Sequence, residues 1–293
     1  MSIVVQQLIN GLMLGSIYAL IGVGYSLIFG VLRMLNLAQS YFLMAAPFIV
    51  LCLYHDIGMP APLALLLAMA VMSALGVLLY FVSFAPVPQS HPLGGFVSSL
   101  AFGIVIQTIV VAKFGTLPHG FELGLPLSDI TFGDIILSGA QLLTLVLSVI
   151  VMASMSVIIY STRFGRNVRA LAENDRAARL LGVRVRETVL MVFVISSLLA
   201  AIAGLLIAIR FENITTFLSD RFALKALAVI VIGGVADMRG AVLAGLLLGV
   251  AEVQFQAYLP AGWSEAFVWI AMILVLLAFP NGLFGGGIRR REV

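Results

Sequence analysis

Long apolar runs follow one another along almost the whole chain, and they restrict the fold more than any other feature of the sequence. The 293 residues are 62% hydrophobic and only 10% charged, whereas a soluble domain has about 25% charged residues. A water-soluble chain of this length cannot bury so much apolar surface, so lipid must be the solvent for much of it. Backbone groups in lipid must be hydrogen-bonded within the segment, which favours helices. The sequence therefore predicts an all-α, polytopic transmembrane bundle.

The apolar runs predict about eight or nine membrane segments in a single transmembrane domain that covers residues 1–293. One segment, 222–235, is short, because at 1.5 Å per residue it reaches ~21 Å and the hydrocarbon core is ~30 Å thick. Pro47 lies within another segment and predicts a broken helix there. Gly11 and Gly15 form a G-x-x-x-G pair, which lets two helices approach closely. The expected segments are 3–30, one that ends near residue 54, 61–84, 93–114, 135–160, 188–209, 222–235, 241–259 and 263–279.

One polar stretch, residues 160–187, interrupts this pattern. Residues 166–181 predict an amphipathic helix, because apolar side chains recur mostly at spacings of three or four, and Gly182 is suited to end it. Short loops rich in arginine stay in the cytoplasm, so we expect this stretch and the basic tail at 289–291 inside and the N-terminus outside. The stretch holds Arg163, Arg166, Arg169, Arg176, Arg179, Arg184 and Arg186.

Three interpretations of the polar stretch are open. A solvated cytoplasmic loop and a basic helix lying on anionic lipid both fit its composition. The small residues Ala177, Ala178 and Gly182 favour a helix that docks into a groove of another protein. The chain's two lysines, Lys113 and Lys225, do not follow a glycine, so the sequence has no G-x-x-x-x-G-K-[ST] phosphate loop. If ATP drives this protein, another chain must bind it.

The sequence indicates no other chemistry. Cys52 is the single cysteine, so an intrachain disulfide is excluded. The three histidines lie in separate predicted loops and lack metal-site spacing. No nucleophile–base pair or pair of carboxylates shares a segment. We therefore predict no catalytic residues and no metal site. The basic residues cluster at predicted membrane ends, where orientation explains them, so nucleic acid is not an expected partner.

Residues 176–182, Arg-Ala-Ala-Arg-Leu-Leu-Gly, resemble the cytoplasmic coupling loop of bacterial ABC importer permeases, whose general motif is Glu-Ala-Ala-x-x-x-Gly. Arg176 stands where that motif has glutamate, a departure common in the branched-chain amino-acid permeases of LivH type. Other stretches resemble the same branch in the same order, over nearly the whole chain. They are 11–20 (GLMLGSIYAL), 35–39 (LNLAQ), 225–234, 240–241 and 245–252 (GLLLGVAE).

The resemblance implies a permease subunit, not an enzyme, of the bacterial inner membrane that translocates amino acids, of branched-chain type above all, by alternating access. It implies a second permease (a heterodimer is favoured), two cytoplasmic ATPases that hold ATP and Mg, and an extracytoplasmic substrate-binding protein. No cofactor is then expected on this chain. The coupling loop is expected at about 161–187, and its ATPase contacts at Arg169, Glu173, Arg176, Ala177, Ala178, Leu181 and Gly182.

Neutral polar side chains in the apolar segments are the candidates for the substrate pathway, although hydrogen bonds between helices explain each of them as well. The family usually has Asn-Phe-Ala-His-Gly where this chain has Asn-Leu-Ala-Gln-Ser at 36–40. Either a different substrate or neutral drift accounts for this departure. The candidates are Asn36, Gln39, Ser40, Ser98, Ser99 and Gln107.

Glu252 and Lys225 are charged residues within apolar runs, where a charge is costly. We expect Glu252 near the outer interface, because its span ends soon after it, and Lys225 with its amine extended to the outer surface.

Three alternative functions remain open at this level. Relatives of the family carry urea, short amides or small carboxylates. An ion-coupled secondary transporter would need paired ionisable residues at mid-membrane, and Glu252 has no evident partner in the sequence. An integral membrane enzyme would need a catalytic constellation.

Overall fold

Helices account for most of the molecule in the computed structural model, which describes residues 2–87, 92–124, 129–132, 135–234, 236–258, 263–279 and 282–283. The basic tail predicted at 289–291 lies outside the described residues. The helices are α1 Ser2–Leu32, α2 Ala38–Leu51, α3 Ala61–Leu79, α4 Pro92–Phe114, α5 Gly139–Ser161, α6 Arg163–Glu173, α7 Asp175–Leu180, α8 Val185–Phe211, α9 Leu218–Gly233, α10 Met238–Tyr258 and α11 Trp263–Ala278.

Short antiparallel strand pairs accompany the helices in the described ranges. Strand β1 (His119–Gly120) pairs with β4 (Asn213–Ile214), with His119 opposite Ile214. Strand β2 (Ile130–Phe132) pairs with β3 (Ile135–Leu137). The predicted helix from residue 135 therefore begins later, at Gly139, where the Gln141 side chain accepts a hydrogen bond from the backbone N–H of Ser138 at 3.2 Å.

Seven of the described helices are long and apolar enough to cross a membrane: α1, α3, α4, α5, α8, α10 and α2 with the π-helical turn Cys52–Asp56 that continues it. Helices α9 and α11 have 16 residues each, or ~24 Å at 1.5 Å per residue. Helix α9 corresponds to the predicted short segment. The transmembrane helical fold is confirmed, and the count of eight or nine segments is approximate.

Helices α1, α2 and α8 form the centre of the bundle, and most of their membrane residues are buried. Helices α3, α4 and α5 lie at the periphery and expose apolar side chains such as Leu66, Ile109 and Val157. An apolar side chain that is exposed within a membrane-spanning helix meets lipid at little cost, so the outer helices need no polar face.

Helices α1 and α10 cross antiparallel through glycines. A Cβ on Gly15 would lie 2.8 Å from Cα of Leu246, and one on Gly11 would lie 2.6 Å from Cα of Val250. Such backbone proximity is what the predicted G-x-x-x-G pair permits. The crossing places the start of α1 and the end of α10 at the same side of the bundle.

Pro47 does not break its helix, contrary to the prediction. Helix α2 continues through it from Ala38 to Leu51. Proline cannot donate a hydrogen bond to the carbonyl four residues before it, here Leu43. That carbonyl lies against Gly204 of α8, where any Cβ would overlap the oxygen. Close packing by α8 therefore covers the backbone group that the proline leaves free.

Candidate functional site

The polar stretch folds as a compact turn and two helices at one end of the bundle, which we call the α6–α7 segment (residues 163–182). Thr162 caps α6 by accepting a hydrogen bond from Gly165 N at 3.2 Å. Gly165 packs so tightly on the carbonyls of Ile158 and Ile159 that a Cβ would overlap them. Val168 and Leu171 are buried against the bundle. The segment is thus anchored directly to the end of α5.

Asn174 divides the segment, so the single helix predicted over 166–181 is two helices. Its backbone is extended, and its side-chain oxygen accepts a hydrogen bond from Ala177 N at 3.0 Å, which caps α7. Gly182, with φ of 82°, ends α7 as predicted, and Val183 N then donates to the Ala178 carbonyl at 3.0 Å.

Two adjacent leucines at the end of α7 are the most exposed apolar side chains of this segment. Leu180 is 90% exposed and Leu181 is 82% exposed. An apolar pair held out from a rigid turn costs free energy in water, and such surfaces commonly mark contact sites. We call Leu180 and Leu181 the leucine pair.

The predicted coupling residues separate into outward and inward groups. Glu173, Arg176, Ala177 and Gly182 are exposed, whereas Ala178 is 1% exposed and packs into the bundle. Ala178 therefore packs on the inner side of the turn and is not part of the outer surface expected for it. The amphipathic pattern alone did not reveal which small residue faces the core. The Arg169 guanidinium donates to the Ile159 carbonyl and lies 5.7 Å from the Tyr160 ring centre, so it contacts α5.

Arg33 connects α1 to this segment, a contact that sequence reasoning did not anticipate. Its guanidinium donates to the Ala172 carbonyl at 2.7 Å. Its backbone lies in the left-handed region at φ of 57° and donates to Phe29 O, which closes α1. The central helix and the α6–α7 segment are therefore joined at the same end of the bundle.

The predicted pathway residues lie between helices. Asn36, Gln39, Ser40 and Ser99 are fully buried, and Ser98 and Gln107 are partly exposed. Gln39 Nε2 donates to the Ser196 carbonyl at 2.7 Å, and Gln107 Nε2 donates to the Thr216 carbonyl at 3.0 Å. These bonds join α2 to α8 and α4 to the turn before α9.

The start of α2 has further polar contacts. Asn36 Oδ1 accepts from Ala38 N, and Ser99 Oγ accepts from Leu37 N, both at 3.1 Å. Within the described residues, Asn36 Nδ2 and Gln39 Oε1 are buried without a hydrogen-bond partner. This is unusual for buried amide atoms, nearly all of which are bonded.

A buried charge network joins three helices, and the sequence-based expectations for it were wrong. Glu252 of α10 forms an ion pair with Lys225 of α9, and their side chains are only 2% and 18% exposed. Tyr18 of α1 donates to Glu252 Oε2 at 2.8 Å and accepts from Lys225 at 3.0 Å, and Gln256 donates to Glu252 Oε1 at 3.1 Å. Glu252 is therefore not at an interface, and Lys225 does not extend to the surface, because each neutralises the other inside the bundle.

The described residues contain no group of three or more His, Cys, Asp or Glu side chains that could hold a metal ion.

Comparisons with known proteins identify the relatives of this chain. The family model described as "Branched-chain amino acid transport system / permease component" matches residues 7–276. The high-affinity branched-chain amino acid transport system permease protein BraD of Pseudomonas aeruginosa is 32% identical, over 96% of this chain and 95% of its own. The corresponding permease protein LivH of Salmonella typhimurium is 30% identical, with the same coverage.

A solved structure shares the fold. A chain of PsaBC from Streptococcus pneumoniae in complex with Fab aligns with a TM-score of 0.50 at 12% identity, and the alignment covers 96% of this chain and 92% of that one. At this identity the likeness concerns the fold alone.

Proposed function

The chain belongs to the permease family of branched-chain amino acid transport systems, and we infer from that premise that it translocates an amino acid of the branched-chain type. It is a multi-pass inner-membrane permease subunit of an ABC importer, a transport component and not an enzyme. Such a permease works with ATPase subunits and a substrate-binding protein. The substrate carries over from the names of the relatives, so it is the part of this function that needs measurement.

We propose that the leucine pair is the main contact with a cytoplasmic ATPase. Three features support it: the pair is almost fully exposed, it follows a helix capped at both ends, and it lies in the motif that resembles a coupling loop. Burying one leucine side chain contributes about 1.5–3 kcal/mol. Arg176 is exposed beside the pair and has no salt-bridge partner among the described residues, so it is suited to face an acidic patch on the ATPase.

The remaining residues expected at the coupling site have supporting parts in this proposal. Ala177 and Gly182 complete the exposed turn beside the leucine pair, and Glu173 lies at the exposed end of α6. Ala178 and Arg169 hold the turn to α5 and the bundle. ATP and Mg bind to the ATPases in this account, and this chain holds no cofactor.

Motion of the ATPases would then reach the membrane helices by two routes. One runs through Thr162 and Gly165 into α5. The other runs through Arg33 into α1, which packs on α10 and borders the buried charge network. The first route uses a close backbone contact at Gly165, and the second uses a hydrogen bond from the Arg33 side chain to a backbone carbonyl.

For the substrate pathway, we propose the start of α2 as the part nearest the ligand. Asn36 and Gln39 are the best supported of the six candidates, because each has a buried amide atom with spare hydrogen-bonding capacity in the described residues. Ser98, Ser99 and Gln107 lie along α4, and their hydrogen bonds join α4 to neighbouring segments, whereas the Ser40 hydroxyl donates to Leu37 O at the start of its own helix.

Orientation and assembly complete the proposal. The arginine content of the α6–α7 segment favours a cytoplasmic location, which puts the N-terminus outside. The C-terminus follows α11 to the cytoplasmic side. We favour a heterodimer with a related permease, with two ATPases beneath and the binding protein outside.

The leucine pair is tested by ATPase capture. The amount of ATPase that co-purifies with tagged permease should fall by about tenfold or more in the double variant Leu180→Ser with Leu181→Ser, because two apolar contacts are lost. Leu117→Ser is the matched control, because Leu117 is 75% exposed in the loop after α4, at the opposite end of the bundle. Equal ATPase capture by the double variant and the wild type would contradict the proposed docking site.

A further inference from the structure

An apolar groove runs along the lipid-facing side of the bundle between α5 and α10. Both helices pack on α1, whose Val23 forms the floor, and the groove encloses about 360 Å³. Its walls include Val149 and Met152 of α5 and Val242 and Leu243 of α10. Val149 and Leu243 are exposed, so the groove opens sideways to the hydrocarbon region.

Arginine side chains close the groove at the end that carries the α6–α7 segment. The Arg239 guanidinium lies 4.4 Å from the centre of the Tyr160 ring, and the Arg169 guanidinium lies 5.7 Å from the same ring. Tyr160 and Arg239 both line the groove. Both guanidinium groups therefore lie against the Tyr160 ring at this end of the groove.

The positive charge here is not neutralised by the described part of the chain. Neither Arg239 nor Arg169 forms a salt bridge with a carboxylate among the described residues. Asp237 is the acid two residues before Arg239, and its Oδ1 is occupied as the cap of α10, accepting from Arg239 N at 2.8 Å and Gly240 N at 3.1 Å. Two guanidinium groups without a carboxylate partner in the described residues therefore lie near one end of an apolar groove, where they are available to an anion.

We propose that this groove binds one anionic phospholipid of the cytoplasmic leaflet. Its phosphate lies at Arg239 and Arg169, and one acyl chain lies between α5 and α10. Guanidinium groups bind phosphate oxygens through paired hydrogen bonds. Basic pockets between membrane helices on the cytoplasmic side are typical sites for anionic headgroups. The two guanidinium groups, which have no carboxylate partner in the described residues, complement an anionic headgroup, so charge favours a lipid over an apolar protein surface.

The assignment of the site to the cytoplasmic leaflet rests on the proposed orientation of the permease. The binding test does not depend on that orientation, because the test vesicles carry the same lipid in both leaflets. Permease is reconstituted into vesicles of phosphatidylglycerol and phosphatidylcholine in equal amounts, extracted, and analysed by native mass spectrometry. We expect one retained phosphatidylglycerol on the wild type and about fivefold less on Arg239→Ala, the loss typical of one basic residue at a membrane surface.

Arg186→Ala is the matched control. Arg186 also lies over an aromatic ring, 5.3 Å from the centre of Phe81, yet it does not line the groove. It should keep the bound lipid. Ala153→Phe, which fills the groove and leaves both arginines in place, should remove the lipid.

Three results would overturn the proposal. The wild type retains both lipids equally, or Arg239→Ala and Arg186→Ala retain phosphatidylglycerol equally, or Ala153→Phe retains it fully.

A Ser156→Cys variant in a Cys52→Ser background supplies a further check, since Ser156 lines the groove. A disulfide between two copies of this chain at this position would show that a second copy covers the groove, and it would also overturn the proposal.

Discussion

The α6–α7 segment and the buried charge network use charged residues in opposite ways. Arginines of the segment are exposed, and its ion pairs, such as Arg179–Asp175 at 3.0 Å, lie in water. In the network, Glu252 is buried and Lys225 is partly buried, and the two form an ion pair that Tyr18 supports with hydrogen bonds. Exposed charges cost little and remain available to a partner protein, whereas buried charges are stable only when the same chain pairs them.

The α6–α7 segment is therefore suited to contact a partner protein, whereas the buried charge network holds helices of the same chain together. The network fastens α9, the short helix, to α1 and α10. Lys225 and Glu252 form the kind of pair that an ion-coupled transporter would need, but the family match over residues 7–276 supports the ATP-driven permease, and the pair here holds helices together. We therefore expect mutations in the network to affect stability and mutations in the segment to affect assembly and coupling.

Breaking the network should have the largest effect. Lys225→Met removes the ion-pair partner of Glu252, whose side chain is almost fully buried, and removing one partner of a buried ion pair costs about 3–5 kcal/mol. Thermal unfolding of the purified permease should show a large drop in midpoint. The double variant Lys225→Met with Glu252→Gln removes both charges and should regain most of the loss. A single variant as stable as the wild type would show that the pair is not structural.

Cutting the link between α1 and the segment should have a smaller and different effect. Arg33→Ala removes the exposed bond to the Ala172 carbonyl, and a typical hydrogen bond contributes about 0.5–1.5 kcal/mol, which corresponds to about a twofold to tenfold change. Uptake per ATP hydrolysed should fall by that factor while ATPase capture is unchanged. Arg163→Ala, an exposed arginine of the same segment, is the control. If both variants transport normally, α1 does not carry the coupling.

Reversing the charge beside the leucine pair should weaken assembly modestly. Arg176→Glu restores the acid of the general motif. In this chain it would place that acid against the proposed acidic patch of the ATPase. ATPase affinity should fall by about fivefold, and added salt should reduce the difference because surface charges are screened. Arg163→Glu controls for the change in net charge. Unchanged or tighter binding would remove Arg176 from the contact.

Removing an exposed pair should change least. In Asp175→Asn the hydrogen bond to Arg179 is kept and the charge is lost, and exposed i,i+4 pairs contribute about 0.3–0.5 kcal/mol. The unfolding midpoint should stay close to that of the wild type. A shift comparable to that of Lys225→Met would erase the distinction between the two regions.

Much of this architecture could be predicted from the sequence because hydropathy and length alone determine where a chain crosses lipid. The Gly11–Gly15 pair and the end of α7 at Gly182 were also predictable, since both depend on properties of glycine at single positions. The break at Asn174 was not, because periodicity extends across a one-residue interruption.

Contacts between distant residues could not be predicted from local patterns. Lys225 and Glu252 lie in separate apolar runs, and their pairing requires α9 and α10 to meet beside Tyr18. The signal was nevertheless present: two single charges of opposite sign, each costly alone, in neighbouring membrane segments. The inward side of Ala178 and the continuity of α2 through Pro47 likewise depend on which helix packs against them.

The most direct test measures uptake of labelled leucine into vesicles that contain the full transporter, with ATP supplied to the ATPase side. The account predicts that Leu180→Ser with Leu181→Ser abolishes most ATP-driven uptake, whereas Lys225→Met with Glu252→Gln retains it. Loss of uptake in the charge-neutral variant, with normal uptake in the leucine variant, would contradict the assignment of docking to the segment and of a structural role to the network.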